Sequence, residues 1–151
     1  MELKSPAFAH GSPIPSEHTC DGKDVSPPLS FTATAPGTRS LALIADDPDA
    51  PMGTWVHWVA WNIPAGARSI PADLPKKNEL QDGTRQGIND FQRSGYGGPC
   101  PPSGTHRYFF RLYALDTTLD LPATTTRKDL DRAMRGHILA QAELLGTYRR
   151  R

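Results

Sequence analysis

Apolar residues in this chain fall in short alternating or continuous runs, and the runs are parted by proline- and glycine-rich breaks. Leu29-Ser-Phe-Thr32 alternates, as a half-buried strand does. Ser40-Leu-Ala-Leu-Ile-Ala45 is continuously apolar and bounded by turn signals, which predicts a strand buried on both faces. It stops at Asp46-Asp-Pro-Asp-Ala-Pro51, so these carboxylates are expected at a sheet edge or on the floor of a cleft. Gly53-Thr-Trp-Val-His-Trp-Val-Ala-Trp-Asn62 reads as a central strand. Strict alternation puts Trp55, His57, Val59 and Trp61 on one face and Val56, Trp58 and Ala60 on the other. Phe109-Phe-Arg-Leu-Tyr-Ala-Leu115 is a further strand, rich in aromatic and aliphatic residues.

Two stretches depart from this pattern. Residues 64–94 are polar and irregular, with one short strand at most, and a connection this long commonly wraps a site. Near the C-terminus, Thr126-Arg-Lys-Asp129 has the form of a capping box. Leu130, Ala133, Met134, His137, Ile138, Gln141, Ala142 and Leu145 follow at helical spacing. Gly136 divides this stretch into two short helices, Gly146 stops the second, and Thr147-Tyr148 docks on the sheet or adds a last strand. Strands first and helices last predict a mainly β, α+β fold, with residues 1–151 forming a single domain.

Composition narrows the function. A formal charge of +1 argues against bulk nucleic-acid or polybasic membrane binding. No run of about 18 apolar residues occurs, which excludes stable membrane insertion by a helix. The opening Met1–Pro6 has no apolar signal region, so the expectation is a cytoplasmic protein. In a reducing cytosol Cys20 and Cys100 are thiols, while a Cys20–Cys100 disulfide is the alternative that their loop-like surroundings allow.

The chemistry concentrates around Gly95-Tyr-Gly-Gly-Pro-Cys-Pro-Pro-Ser-Gly-Thr-His-Arg-Tyr108. Four glycines and three prolines exclude a helix there. The loop delivers His106 and Tyr108 into a strand, on a shared face. Glycine permits close approach of a ligand to backbone N–H groups, which suits a small anion. Asp47, Asp49, His57, His106 and Tyr108 all stand at strand ends beside such loops, as the polar groups of small-ligand pockets do. The bland alternatives are turn chemistry for the two aspartates and a satisfied core position for His57. A metal site built from the same groups has no supporting histidine spacing, and Cys100 beside His106 is a weaker candidate nucleophile. No cofactor motif is present.

These residues resemble a known family. Asp47-Pro-Asp-Ala-Pro51, Trp55-Val-His57-Trp58 and the 95–108 loop are similar to the two signature regions of the phosphatidylethanolamine-binding proteins. Cys20-Asp-Gly-Lys-Asp-Val-Ser-Pro-Pro-Leu29 and residues 136–148 resemble the prokaryotic, Raf-kinase-inhibitor-like branch. The resemblance implies two antiparallel sheets with Greek-key connections and short C-terminal helices. It also implies a non-enzymatic pocket for phosphate-type anions, including a phospholipid head group. Carried over by motif, Asp47, His57, His106 and Tyr108 line that pocket. Gly98, Pro99, Cys100 and Pro102 border it, and Asp49 and Pro51 shape its floor. Cys100 stands where the eukaryotic proteins have glycine. Implied partners are a protein kinase or a serine protease. The eukaryotic members' extra C-terminal helix is lacking, so the pocket is more open here or closed by the second subunit of a homodimer. A hydrolase using the Asp/His set is the rival reading.

Overall fold

The computed structural model describes residues 1–150. Nine strands and one α-helix follow one another: β1 (Leu3–Lys4), β2 (Ser12–Pro13), β3 (Leu29–Phe31), β4 (Ser40–Asp47), β5 (Trp55–Pro64), β6 (Ser69–Ile70), β7 (Arg85–Gln86), β8 (Thr105–Leu115), α1 (Arg127–Met134) and β9 (Ile138–Arg149). They form a three-stranded sheet, β1-β3-β6, and a six-stranded sheet, β2-β9-β8-β4-β5-β7. All pairings are antiparallel except β2 with β9, which is parallel. Strands β4 and β8 are neighbours although far apart in sequence, so the chain crosses over rather than meandering.

Every residue of β4 is buried, as its apolar run predicts, and the strand extends through both aspartates. Asp46 and Asp47 therefore point to opposite faces of the large sheet. One face, with Leu41, Leu43, Ala45, Trp58 and Phe110, packs against Leu29, Phe31 and Ile70 of the small sheet. The other, with Ile44, Val59, Trp61 and Leu115, is covered by Leu130 and Met134 of α1.

Three expectations are corrected. The C-terminal stretch holds one α-helix rather than two: α1 begins with the capping box at Thr126, and the chain turns at Gly136, φ +81°. Residues 138–149 then pair with β8 along its whole length, from Leu115↔Ile138 to Thr105↔Arg149. Ala140, Ala142 and Leu144 also fit a period of two, and sheet pairing decides between the two readings. Gly146 sits inside β9 instead of ending a helix, because a Cβ there would meet Ile14 at 2.5 Å and Phe8 at 2.8 Å. The segment 64–94 contains two short strands, not one. The third correction concerns β5. Ala45 pairs Trp58 while Asp46 pairs Val56, so His57 is the extra residue of a β-bulge. The bulge breaks the alternation: Val56, Val59 and Trp61 face α1, and Trp58 and Ala60 face the core between the sheets.

Candidate functional site

Bulges beside sites re-aim side chains, and this one turns His57 into a cavity of about 190 Å³ at the ends of β4, β5 and β8. Asp47, His57, His106 and Tyr108 come together there, with Pro51, Cys100 and Pro102 from the flanking turns. Strand registry explains the gathering. Asp47 ends β4, and β8 pairs with β4 as far as Asp46↔Phe109, so His106 and Tyr108 project beside Asp47. A hydrogen bond of 2.6 Å joins His106 Nδ1 to Asp47 Oδ2. The second Asp47 oxygen accepts from the Asp49 N–H at 2.8 Å.

His57 is 4% exposed and its Nδ1 lies 2.6 Å from the Gly97 carbonyl. A carbonyl only accepts, so Nδ1 carries the proton and donates. That leaves Nε2, without a partner among the described residues, as a lone pair in the neutral ring. Burial holds the His57 imidazole below its ordinary 6.5, against the opposing pull of the Gly97 carbonyl and the Asp47, Asp24 and Asp90 carboxylates. The ring is therefore neutral at pH 7. Tyr108 stacks on His106, with centroids 6.4 Å apart, and meets His57 edge-on at 5.3 Å. Its hydroxyl is buried and meets no acceptor in full hydrogen-bond geometry among the described residues, although the Asp47 carboxylate lies close enough to interact with it. Burial, aided by the Asp47 carboxylate, pushes its ionisation far above 10, so it remains a donor at any working pH.

Other expected site residues lie elsewhere. Gly98 and Pro99 are buried under the loop and do not line the cavity. Gly98 is needed for a different close approach: a Cβ there would collide with Asp24 and with the His18 carbonyl. The loop's N–H groups are also largely committed. Gly97 donates to the His57 carbonyl at 2.9 Å and Gly98 to Asp24 Oδ1 at 2.7 Å. Pro99, Pro101 and Pro102 have no N–H, and the Cys100 N–H stays uncommitted among the described residues. Asp49 turns outward and grips Arg107 through the backbone N–H, Nε and Nη2, each at 2.9 Å. The 49–51 turn contributes Pro51 and Ala50 to the wall, and Ala50-Pro51 is trans.

Sequence reasoning missed Trp55, Phe91 and Pro101, which complete the wall. Trp55 had a signal, its shared face with His57. Phe91 had none, since it comes from the irregular 64–94 segment, and it touches both Trp55 at 5.5 Å and His57 at 5.4 Å, edge-on. The two cysteines are joined, Cys20 to Cys100, with Cα atoms 5.4 Å apart. In this state Cys100 is no nucleophile. Among the described residues no three His, Cys, Asp or Glu side chains assemble as a metal-binding group. No described helix is long and apolar enough to cross a membrane.

Comparison with known proteins agrees with this fold. A family model described as phosphatidylethanolamine-binding protein matches residues 4–149. A UPF0098 protein of Methanothermobacter thermautotrophicus is 53% identical over 150 residues, 99% of each chain. A crystal structure of a homologue of the same family from Chlamydia trachomatis superposes with a TM-score of 0.92 at 39% identity, covering 99% of this chain and 97% of the other. Escherichia coli YbcL gives 0.92 at 31% identity, with 99% and 98% covered. A carboxypeptidase Y inhibitor, solved with its proteinase, shares the fold alone, with a TM-score of 0.57 at 18% identity over 99% of this chain and 82% of that one.

Proposed function

The chain belongs to the phosphatidylethanolamine-binding protein family, and on that premise we propose that it is a binding protein for small phosphoryl-type anions, held in the cavity between β4, β5 and β8. The observation that carries this reading is the stock of unspent polar groups around one small hollow. Among the described residues Tyr108 keeps a buried hydroxyl with only a loose contact to Asp47, Cys100 an uncommitted N–H, and His57 and His106 each an unshared Nε2. Buried polar groups left unpaired are costly, and a ligand that pairs them recovers that cost. Asp47 orients His106 and serves as counter-ion when the ring is charged, so that its Nε2–H donates a charge-assisted bond to the anion.

Binding rather than catalysis fits the lining. Cys100 is locked in the disulfide, no serine or threonine lines the cavity, and the Tyr108 hydroxyl is held protonated by burial. Regulation of a kinase or of a serine protease would use the occupied cavity as its input, and no residue of the wall singles out either partner. The disulfide bears on the compartment, because such bonds persist where thiols are kept oxidised. Trapping free thiols with an alkylating agent during lysis separates that setting from a reducing cytoplasm.

Calorimetric titration with inorganic phosphate tests the reading. Saturable binding that weakens at least tenfold in Tyr108→Phe and in His106→Ala is expected. Absence of heat up to tens of millimolar phosphate, or variants that bind as the parent does, would refute it. Turnover of phosphoesters abolished by His57→Ala would favour the hydrolase instead.

A further inference from the structure

We infer that the open edge of β9 is a self-association site, where a second copy of this chain pairs antiparallel across a twofold axis through Ala142. The cavity at the ends of β4, β5 and β8 takes no part in it. In the large sheet β9 is only partly covered, because β2 pairs with it at Gly146 and Thr147 alone. Just beyond, the Leu145 N–H donates to His10 Nδ1 at 3.1 Å, and the Leu145 carbonyl accepts from the Gly11 N–H at 2.7 Å. The Thr147 carbonyl accepts from Ile14 at 2.8 Å. Leu145 and Thr147 therefore turn their backbone groups away from β8. Pairing with β8 is unbroken from Ala140 to Arg149. Alternate residues of a strand turn these groups to the same side, so Gln141 and Glu143 also point theirs outward. Their N–H and C=O groups have no partner there among the described residues.

Free sheet edges are ordinarily guarded by proline, lysine or an unpaired charge. Between Ala140 and Leu145 there is no proline or lysine, and the one charged residue, Glu143, is neutralised by Arg111 Nη1. Ile138 and Leu139, 43% and 41% exposed, stand at the start of the same edge. A hollow of about 310 Å³ bordered by Arg111, Tyr113, Gln141, Ala142 and Glu143 leaves the adjoining outer face of the sheet uncovered.

The register selects a second copy as the occupant. Outward-turned residues must face outward-turned residues. With Ala142 on the axis, each Gln141 faces the Glu143 of the second copy, and each of these two pairs exchanges two backbone hydrogen bonds. The Gln141 amide then donates to the Glu143 carboxylate oxygen that Arg111 leaves free. Moving the axis to Glu143 sets two carboxylates against each other. Moving it to Gln141 sets Glu143 against the apolar Leu139. Both ends of the ladder are defined. The Leu145 groups are already taken, and in the matched register Leu139 of the second copy arrives opposite them. Leu139 is the extra residue of a β-bulge, since Ala114 pairs Ala140 while Leu115 pairs Ile138. A bulge bends its strand, so the chain turns off the edge where that edge is occupied.

Sedimentation velocity of the intact, disulfide-bonded protein tests this from micromolar to millimolar concentration, and the mass is expected to rise from monomer to dimer. Gln141→Pro removes an outward N–H and none that β8 uses. It is expected to keep the parent's circular dichroism and to weaken association at least tenfold. Ala142→Cys sets two thiols on the axis in a non-hydrogen-bonded pair, with Cα atoms about 4.5 Å apart, within the span of a disulfide. Mild oxidation is expected to give a covalent dimer linked at residue 142, located by mass spectrometry of peptides. Ala140→Cys, which falls opposite Leu144 of the second copy, is expected to give none. A parent that stays monomeric throughout overturns the inference. So does a dimer that Gln141→Pro leaves equally tight, or one that Ala140→Cys cross-links as readily as Ala142→Cys. Should Gln141→Pro not fold, the sedimentation of the parent and the two cysteine variants still decide.

Discussion

Asp46 and Asp47 are neighbours in the chain and are buried alike, 2% and 3% exposed, yet they sit in opposite chemistry. Asp46 faces the α1 side. Arg111 grips it through Nε and Nη2, both at 3.1 Å, and Arg127 adds Nη1 at 2.7 Å. Both guanidinium groups continue to other carboxylates, Arg111 to Glu143 and Arg127 to Asp131. Asp47 faces the cavity. Its partner is the His106 imidazole, whose second nitrogen is unshared among the described residues. The difference teaches that a buried carboxylate is structural when its partner has nothing left to offer. It becomes part of a site when its partner passes the interaction on to an open space. Arg127 also explains where the Asp46 side spends its charge: it fastens the first turn of α1 to the sheet.

The largest expected effect lies on the cavity side and is covalent. The Cys20–Cys100 bond closes a loop with a sequence separation of 80. Chain-entropy arguments give such a loop about 4 kcal/mol of stability. Urea unfolding with and without a dithiol reductant measures this, and equal midpoints would show that the cavity rim is not held by this cross-link. Next is Asp46→Ala, which leaves two partly buried guanidinium groups without their shared partner and is expected to cost about 3 kcal/mol. Phosphate affinity of the folded protein should remain unchanged, and a loss of affinity would break the separation between the two faces.

Asp47→Asn is the mirror experiment. Loss of a charge-assisted bond should cost about 1–2 kcal/mol of stability, while phosphate binding falls at least tenfold. If stability drops far more than binding does, Asp47 belongs with Asp46 as a structural group. The smallest effect concerns Asp49, the carboxylate that faces away from the cavity. Its hydrogen bonds with the Arg107 side chain, aided by the Arg107 N–H, lower its pKa from the ordinary 3.8 to about 2. The folded value lies below the unfolded one, so its contribution is complete above 3.8 and is lost as pH falls through about 2. Solvent screening keeps that contribution small. A ¹³C carboxyl titration of Asp49 should show a midpoint near 2 that rises toward 3.8 in Arg107→Ala, with phosphate affinity unaffected.

Much of this arrangement was legible in the amino-acid sequence. The buried run of β4, the aromatic strand β8 and the loop between Gly95 and Tyr108 announced themselves through composition and punctuation. Strand-end position grouped Asp47, Asp49, His57, His106 and Tyr108, and only the family resemblance set Asp49 apart from the four that line the cavity; Asp49 turns outward to Arg107. The rest depended on information that a local pattern does not contain. The bulge at His57 is set by pairing with β4, so alternation counted along β5 alone assigned the wrong partners to Val59 and Trp61. Residues 138–149 satisfy two periodicities, and only the exposed edge of β8 selects the strand. Gly98 signalled close approach, yet the approaching atoms are those of Asp24 and His18 rather than a ligand. Phe91 reaches the cavity from a segment with no periodicity, and nothing in its neighbourhood marks it.

The central claim is that the hollow beside Asp47, and not the charged face beside Asp46, receives an anion. Soaking crystals of the intact protein in phosphate near pH 6 tests it most directly. The account predicts tetrahedral density between His57, His106 and Tyr108, with an oxygen within hydrogen-bond reach of each Nε2. Density only at Arg107, Arg111 or Arg127, with plain water beside Asp47, would contradict it.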